Sequence, residues 1–338
     1  MADRSDIAAV VERTARSSSF SGVVRVDRPD ADTIALAFGL ADRRHGITNT
    51  VATRFGIASG TKWWTALTTV ALVADGTIGL DTPARTLLGP DLPLIDDAVT
   101  VGHLLAHRSG IGDYLDEAVL GDIDDHVMPV PVHQLSSTES YLPILDGYPQ
   151  RERPGERFRY NNSGYVVLAL LAERAAGVRF EQLVHDRVCA PAGLTSTGFV
   201  RGDELASDLA VGYLTPDGLR SNVLHLPVLG SGDGGLTTTA DDVHRLWSAW
   251  LGGTVVPPDL RDLMMEPRSE APEQAMRHGL GCWLHPTTPT VSLEGMDAGV
   301  SFRTVHDPVS GTTHTVLANT SSGTWPMTRA LDEALGLS

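Results

Sequence analysis

Apolar residues alternate with polar ones near both ends of this chain, while the long apolar runs of its middle repeat at helical spacing. The alternating stretches are SGVVRV (21–26) and TIALAFGLADR (33–43) early, then GLGCWLH (279–285), DAGVSFRTVHD (297–307) and THTVLANTSS (313–322) late. Period-two alternation sets successive side chains on opposite faces of a strand. Helical patterns cover 5–17, about 60–74 (ended by Asp75-Gly76), 100–110 closed by Gly110, 136–147, 161–177 stopped by Gly177, 235–253 capped near Thr239, and the closing LDEALG. The simplest arrangement is an α+β fold: an antiparallel sheet built from N- and C-terminal segments, flanked by helices, with a mainly helical region between. This predicts a sheet domain from 1–80 plus 221–338 and a helical domain from 81–220.

The 338 residues, 42% of them hydrophobic, suffice for a full-sized core. A formal charge of −16 with no basic run disfavours nucleic acid and anionic membrane surfaces as partners. Cys189 and Cys282 are too few for a disulfide scaffold, match no metal spacing, and read as buried thiols. The first 22 residues hold no apolar stretch of signal-peptide length, and nothing reaches the roughly 18 apolar residues of a membrane span. These features lead to the expectation of a soluble cytoplasmic protein.

Ser59 and Lys62 lie one turn apart at the start of the second helical pattern, FGIASGTKWWTALTTVALVADG. At i and i+3 they share a helix face. A serine hydroxyl becomes a nucleophile once a base takes its proton, and a lysine becomes that base when burial and a helix N-terminus lower its pKa. Free N–H groups of the same turn can hold an oxyanion. The pair alone also allows an N-cap serine beside an exposed lysine.

Further landmarks extend the pattern. LLAHRSGIGDY (104–114), FRYNNSGYVVLALLAER (158–174) and DGGLTTTADDVHRL (233–246) follow in order. With FGIASGTK, they make the chain resemble the serine β-lactamase and penicillin-binding-protein superfamily. The resemblance is to the class C branch, with its esterase, D-aminopeptidase and D-amino-acid-amidase relatives, and it covers most of the chain. It implies Ser59 as nucleophile and Lys62 as general base in S-x-x-K, and Tyr160 and Asn162 in Y-x-N. With only Lys62 as a neighbouring cation, Tyr160 is expected to relay a proton to the leaving group rather than stand as a phenolate. Asn162 can accept from Lys62 and donate to a substrate carbonyl; its other reading is the N-cap of the helix that follows.

The family's third element, K-T-G, H-x-G or W-G-G on a strand beside the nucleophile, departs here. The matching stretch is SLEGMDAGVSF (292–302), with Glu294 where the lysine or histidine would fall, then Gly295 and Met296, and Gly299 as a later family glycine. Met296 replaces an open position and narrows the cleft. One oxyanion donor is expected from the Ser59 N–H and the other from this strand, with Asp297 as the candidate. A carboxylate at 294 would repel a carboxylate-bearing substrate. The expected substrate is therefore an ester, amide or short peptide that is neutral or cationic at this end. Alternatives are a true β-lactamase or D-Ala-D-Ala carboxypeptidase, and a non-catalytic binding protein on the same scaffold. Arg277 and His278 lie one strand earlier and could reach the cleft.

No metal or organic cofactor is implied. His103 and His107 have metal-compatible i,i+4 spacing but no carboxylate pattern beside them, and are expected to serve as hydrogen-bonding core residues. GSGDGG (230–235) opens no strand–turn–helix unit and is not a phosphate loop. The acidic GDIDDH (121–126) reads as a solvated loop that could line the cleft. One of Trp63 and Trp64 is expected in the core, the other walling the site.

Overall fold

In the computed structural model, which describes residues 4–337, strands from the two chain ends form one eight-stranded antiparallel sheet. Its strands are β1 (Gly22–Arg28), β2 (Ala31–Phe38), β3 (Ser269–Ala271), β4 (Met276–His278), β5 (Trp283–Leu284), β6 (Val291–Asp297), β7 (Val300–Asp307) and β8 (Thr312–Ala318), in the order β2-β1-β8-β7-β6-β5-β4-β3. The first hairpin joins the last: β1 pairs with β8 from Gly22↔Ala318 to Asp27↔Thr313.

Alternation along these strands serves two cores. Val23, Leu293, Phe302 and Leu317 face the larger core, whereas Val24, Val26, Val316 and Ala318 face a smaller one. The smaller core is closed by α1 (Arg4–Ser17) and the C-terminal helix α6 (Thr324–Leu335), through Ile7, Val11, Met327 and Leu331. Against the other face lie α2 (Thr61–Ala74), α4 (Asn162–Ala176) and α5 (Ala240–Leu251), with α3 (Val101–Leu105) packed on α4. Residues 61–72 of α2 and 162–172 of α4 are buried all round, as expected of helices inside a core rather than on its surface. α4 starts on an Asn161 N-cap and ends at Gly177 in the left-handed conformation; Thr239 caps α5 by accepting from Asp242 N.

Several elements differ from the sequence reading. The 100–110 helix stops at Leu105, because His107 turns left-handed (φ 52°); Gly110 (φ 67°) serves the next turn. GLGCWLH contributes only two strand residues, and β3 and β4 are too short to show alternation. The stretch 292–302 is a hairpin, β6 and β7, rather than one strand, with Gly299 (φ 67°) at its turn. β6 lies inside the sheet, yet β5 pairs only with Val291 and Ser292, so residues 293–297 keep one free edge. None of the described helices is long and apolar enough to cross a membrane.

Candidate active site

The turn into α2 is held by close backbone contacts. Ala58 adopts φ 47°, unusual for a residue with a side chain, between the Phe55–Gly56 strand and a 3-10 turn over Ala58–Gly60. A Cβ on Gly60 would sit 2.5 Å from the Phe302 ring, and one on Gly295 would sit 2.7 Å from Ser59 N. Both positions therefore need glycine, and β6 runs directly beside the N–H of Ser59.

Lys62, on the next turn, is 4% exposed. Its Nζ lies 2.8 Å from Ser59 Oγ, 2.7 Å from Asn162 Oδ1 and 2.9 Å from the Asp233 carbonyl oxygen. A neutral amine has two N–H donors and one lone pair. In that form its two donors would match the two carbonyl acceptors, and the lone pair would be left for the Ser59 O–H. Desolvation lowers the Lys62 pKa, opposed by the charges of Asp233, Glu117, Asp113 and Asp297.

The glycine-rich 230–235 stretch supplies that carbonyl. A Cβ at Gly232 would lie 2.0 Å from Tyr165 O, and Gly235 sits at φ 94°. These glycines let the loop wedge between α2 and α4, where Gly232 O also accepts from Thr65 at 2.6 Å. The Asp233 carboxylate accepts from Tyr114 Oη at 2.6 Å.

Asn161, not Asn162, caps α4, accepting from Gly164 N at 2.6 Å. Asn162 is thereby free to turn into the site, where its Nδ2 donates to Leu115 O at 2.7 Å and to Glu117 Oε1 at 3.3 Å. Asp113 braces the same helix start by accepting from Asn162 N and Ser163 N; burial raises its pKa to about 6. Tyr160 places its ring 5.0 Å from Lys62 Nζ and stacks on Trp283 at 6.1 Å. Desolvation pushes its phenol well above the usual range, aided by the Glu117 charge and opposed by a hydrogen bond with Ser59. The hydroxyl is thus protonated at neutral pH.

Strand faces decide the third element. Gly295 and Leu293 share the face toward Ser59, so Leu293, not Glu294, occupies the position turned toward the pair. Glu294 alternates to the other face of the strand, yet it still lines the cleft with Ser59 and Tyr160. It is half-buried and bridges to Arg303 at 3.3 Å directly across the hairpin, and Arg303 in turn lies 3.7 Å from Asp332 of α6. The backbone donor expected from this strand is also displaced. His285 N donates to Thr290 O, so even-numbered residues of this strand turn their backbone polar groups toward β5 and its open continuation. Hence the Met296 N–H faces the free edge beside Ser59 N, while the Asp297 N–H points to β7. The Asp297 side chain returns to the cleft, with its pKa raised to about 7 chiefly by burial. Met296 stands on the rim, 47% exposed.

Ser59, Tyr160, Asn162, Gly295, Met296 and Asp297 open on one cavity of about 1640 Å³. Glu117, Asp233 and Asp113 were not singled out by sequence reasoning. Asp113 lies inside LLAHRSGIGDY and Asp233 inside GSGDGG, but no spacing rule marks either; Glu117 carries no signal. His107 Nδ1 accepts from Asn161 N at 3.1 Å and His103 accepts from Thr100 N within a capping box. His278 is buried against His107 at 4.9 Å, its pKa lowered to about 4 by burial, while Arg277 donates to His285 O away from the pair. Among the described residues no group of three or more His, Cys, Asp or Glu side chains is placed to hold a metal ion. Trp63 and Trp64 are both buried, Trp63 beneath Ser59. Both cysteines are buried and free, their thiols pushed up to about 12. In the acidic loop, Asp124 accepts from Gly299 N and Ser321, tying that loop to the β6–β7 turn.

The chain is similar to a penicillin binding protein from Bacillus halodurans, 32% identical with a TM-score of 0.89 over 96% of this chain and 99% of that one. The putative penicillin-binding protein PbpX of Bacillus subtilis is 26% identical over 79% of this chain and 63% of its own length. Esterase EstB of Burkholderia gladioli is 33% identical over 49% of this chain and 44% of its own length. The chain thus spans less than two thirds of the length of these curated relatives. The family model described as Beta-lactamase matches residues 7–336, and the chain belongs to that family.

Proposed function

We propose that the protein is a serine hydrolase that forms an acyl-enzyme at Ser59 on an ester or amide. The observation that carries this reading is the buried Lys62 Nζ, 2.8 Å from the Ser59 hydroxyl and held there by Asn162 Oδ1 and the Asp233 carbonyl. Lys62 takes the hydroxyl proton as Ser59 Oγ bonds to the carbonyl carbon. The N–H groups of Ser59 and Met296 hold the resulting oxyanion. Tyr160 gives its proton to the leaving oxygen or nitrogen as that bond breaks, and regains one from Lys62. Water then attacks the acyl carbon, a proton passes back to Ser59, and the free acid departs.

The substrate favoured next to the reacting carbonyl is neutral or cationic. Glu117, Asp297 and Glu294 line the cavity, and Asp233 lies just behind Lys62. Arg157 and Arg159, also at its wall, are both committed to Glu152, at 2.6 and 2.9 Å. A second reading, action on β-lactams or D-alanyl peptides, is favoured by the similarity to the Bacillus halodurans penicillin binding protein. The test compares kcat/KM for a neutral ester with a matched ester bearing a carboxylate, in wild type and Glu117→Gln, with nitrocefin as a third substrate. The neutral ester should lead in wild type, by a margin that Glu117→Gln narrows roughly fivefold to tenfold through the lost repulsion. Equal turnover of the acid by wild type refutes the charge preference, and nitrocefin turnover rivalling the ester supports the second reading.

A further inference from the structure

Twelve large hydrophobic side chains are exposed among the described residues, and five of them, Leu205, Leu219, Val223, Leu224 and Met296, line the large cavity that opens on Ser59. Leu205 is 99% and Leu224 73% exposed. Exposed apolar residues scattered singly are ordinary, but clustered around a site they mark what the site binds. The cavity volume of about 1640 Å³ also exceeds the roughly 300–1,000 Å³ of a pocket built for a small ligand.

Position along β6 assigns this surface to one end of the substrate. Tyr160, the leaving-group acid, stacks on Trp283, which pairs with Ser292 at the start of β6. The leaving group therefore lies toward that end. Asn222 Nδ2 donates to Ala298 O at the other end, beyond Asp297, and anchors there the segment that carries Leu219, Val223 and Leu224. With the carbonyl carbon at Ser59 Oγ, the acyl portion extends toward this segment. Asp203, Glu204 and His225 stand beside the apolar residues and keep the outer rim polar.

We infer that the cavity is an acyl subsite and that the protein acts on esters or amides of long aliphatic acids. This rests on the hydrolase reading above and adds the substrate class. Each methylene that enters such a surface is expected to raise kcat/KM about twofold to fourfold.

The test measures 4-nitrophenyl esters from acetate to decanoate with wild type, Leu219→Gln/Leu224→Gln and Val309→Gln, an exposed residue of the β7–β8 turn. Each protein's acetate rate is its own reference. Wild type and Val309→Gln should gain at least about sixtyfold from acetate to octanoate, six methylenes at twofold or more each, and the double variant should lose most of that gain. A flat or falling series with Ser59-dependent acetate turnover overturns the acyl subsite while the hydrolase reading stands. A second measurement does not need catalysis: Nile red should bind Ser59→Ala and be displaced by methyl decanoate but not by methyl acetate. Failure of methyl decanoate to displace the dye, or its displacement of dye equally from the double variant, overturns the inference even if no ester is turned over.

Discussion

Replacing Lys62 by Met keeps an unbranched side chain, one atom shorter, and removes the base. Met cannot accept the Ser59 proton, and it leaves Asn162 Oδ1 and the Asp233 carbonyl without their donor. Each such buried acceptor costs about 1–3 kcal/mol, but the substitution also abolishes the desolvation of an amine. The two contributions oppose each other, so global stability at neutral pH should change by no more than about 2 kcal/mol. Catalysis has no such compensation. A positioned general base contributes about 10²–10⁴ in rate, or ~3–5 kcal/mol of barrier, and kcat/KM for a neutral ester should fall by that factor. The pH profiles separate base loss from misfolding. Burial holds the Lys62 pKa below its ordinary value. Between the folded pKa and the unfolded value near 10.4, the unfolded state binds the extra proton, so Lys62 makes stability rise with pH across that window. In Lys62→Met that rise should disappear from chemical-denaturation curves, together with the basic-form limb of the kcat/KM profile. A folded Lys62→Met protein retaining kcat/KM within tenfold of wild type, with its pH limb unmoved, would refute the assignment of Lys62 as base.

Neighbouring asparagines should separate by function: Asn161→Ala, which loses the α4 cap and a bond to Ile111 O, should lower stability by about 1–2 kcal/mol with a modest effect on kcat. Asn162→Ala should instead lower kcat/KM at least tenfold with a smaller shift in Tm; reversal of these two outcomes would contradict the division of roles. Asp297, whose carboxyl is raised to about 7, binds a proton in the folded state that the unfolded chain releases near 3.9, so its contribution to stability is lost as pH rises from about 4 to 7. Asp297→Asn should flatten that decline in denaturation midpoints measured across this range, and an unchanged slope would refute it.

Much of the architecture was legible locally. Strand alternation and helical spacing are properties of neighbouring residues, so α1, β1, β2, α2, α4, β7 and β8 could be read from the chain. Gly177 and Thr239 announce helix ends through backbone conformation and capping chemistry that act within a few residues. The same locality explains what was missed. β3 and β4 have three residues each, too few to show a period, and β6 is apolar at Val291 and Leu293 yet interrupted by Glu294 and Gly295.

The site divides along the same line. The one-turn spacing of Ser59 and Lys62 is a fact of the sequence, since a helix brings i and i+3 together whatever surrounds it. Whether that lysine is a base is not, because its burial, the Asn162 carbonyl and the Asp233 main-chain oxygen come from segments 100 and 171 residues away. The face of Glu294 and the donor at Met296 depend on strand pairing, which sets which way each residue of β6 turns. Local chemistry determined which groups were available; only the folded chain decided their solvation, direction and neighbours, because desolvation and hydrogen-bond geometry act through space rather than along the chain.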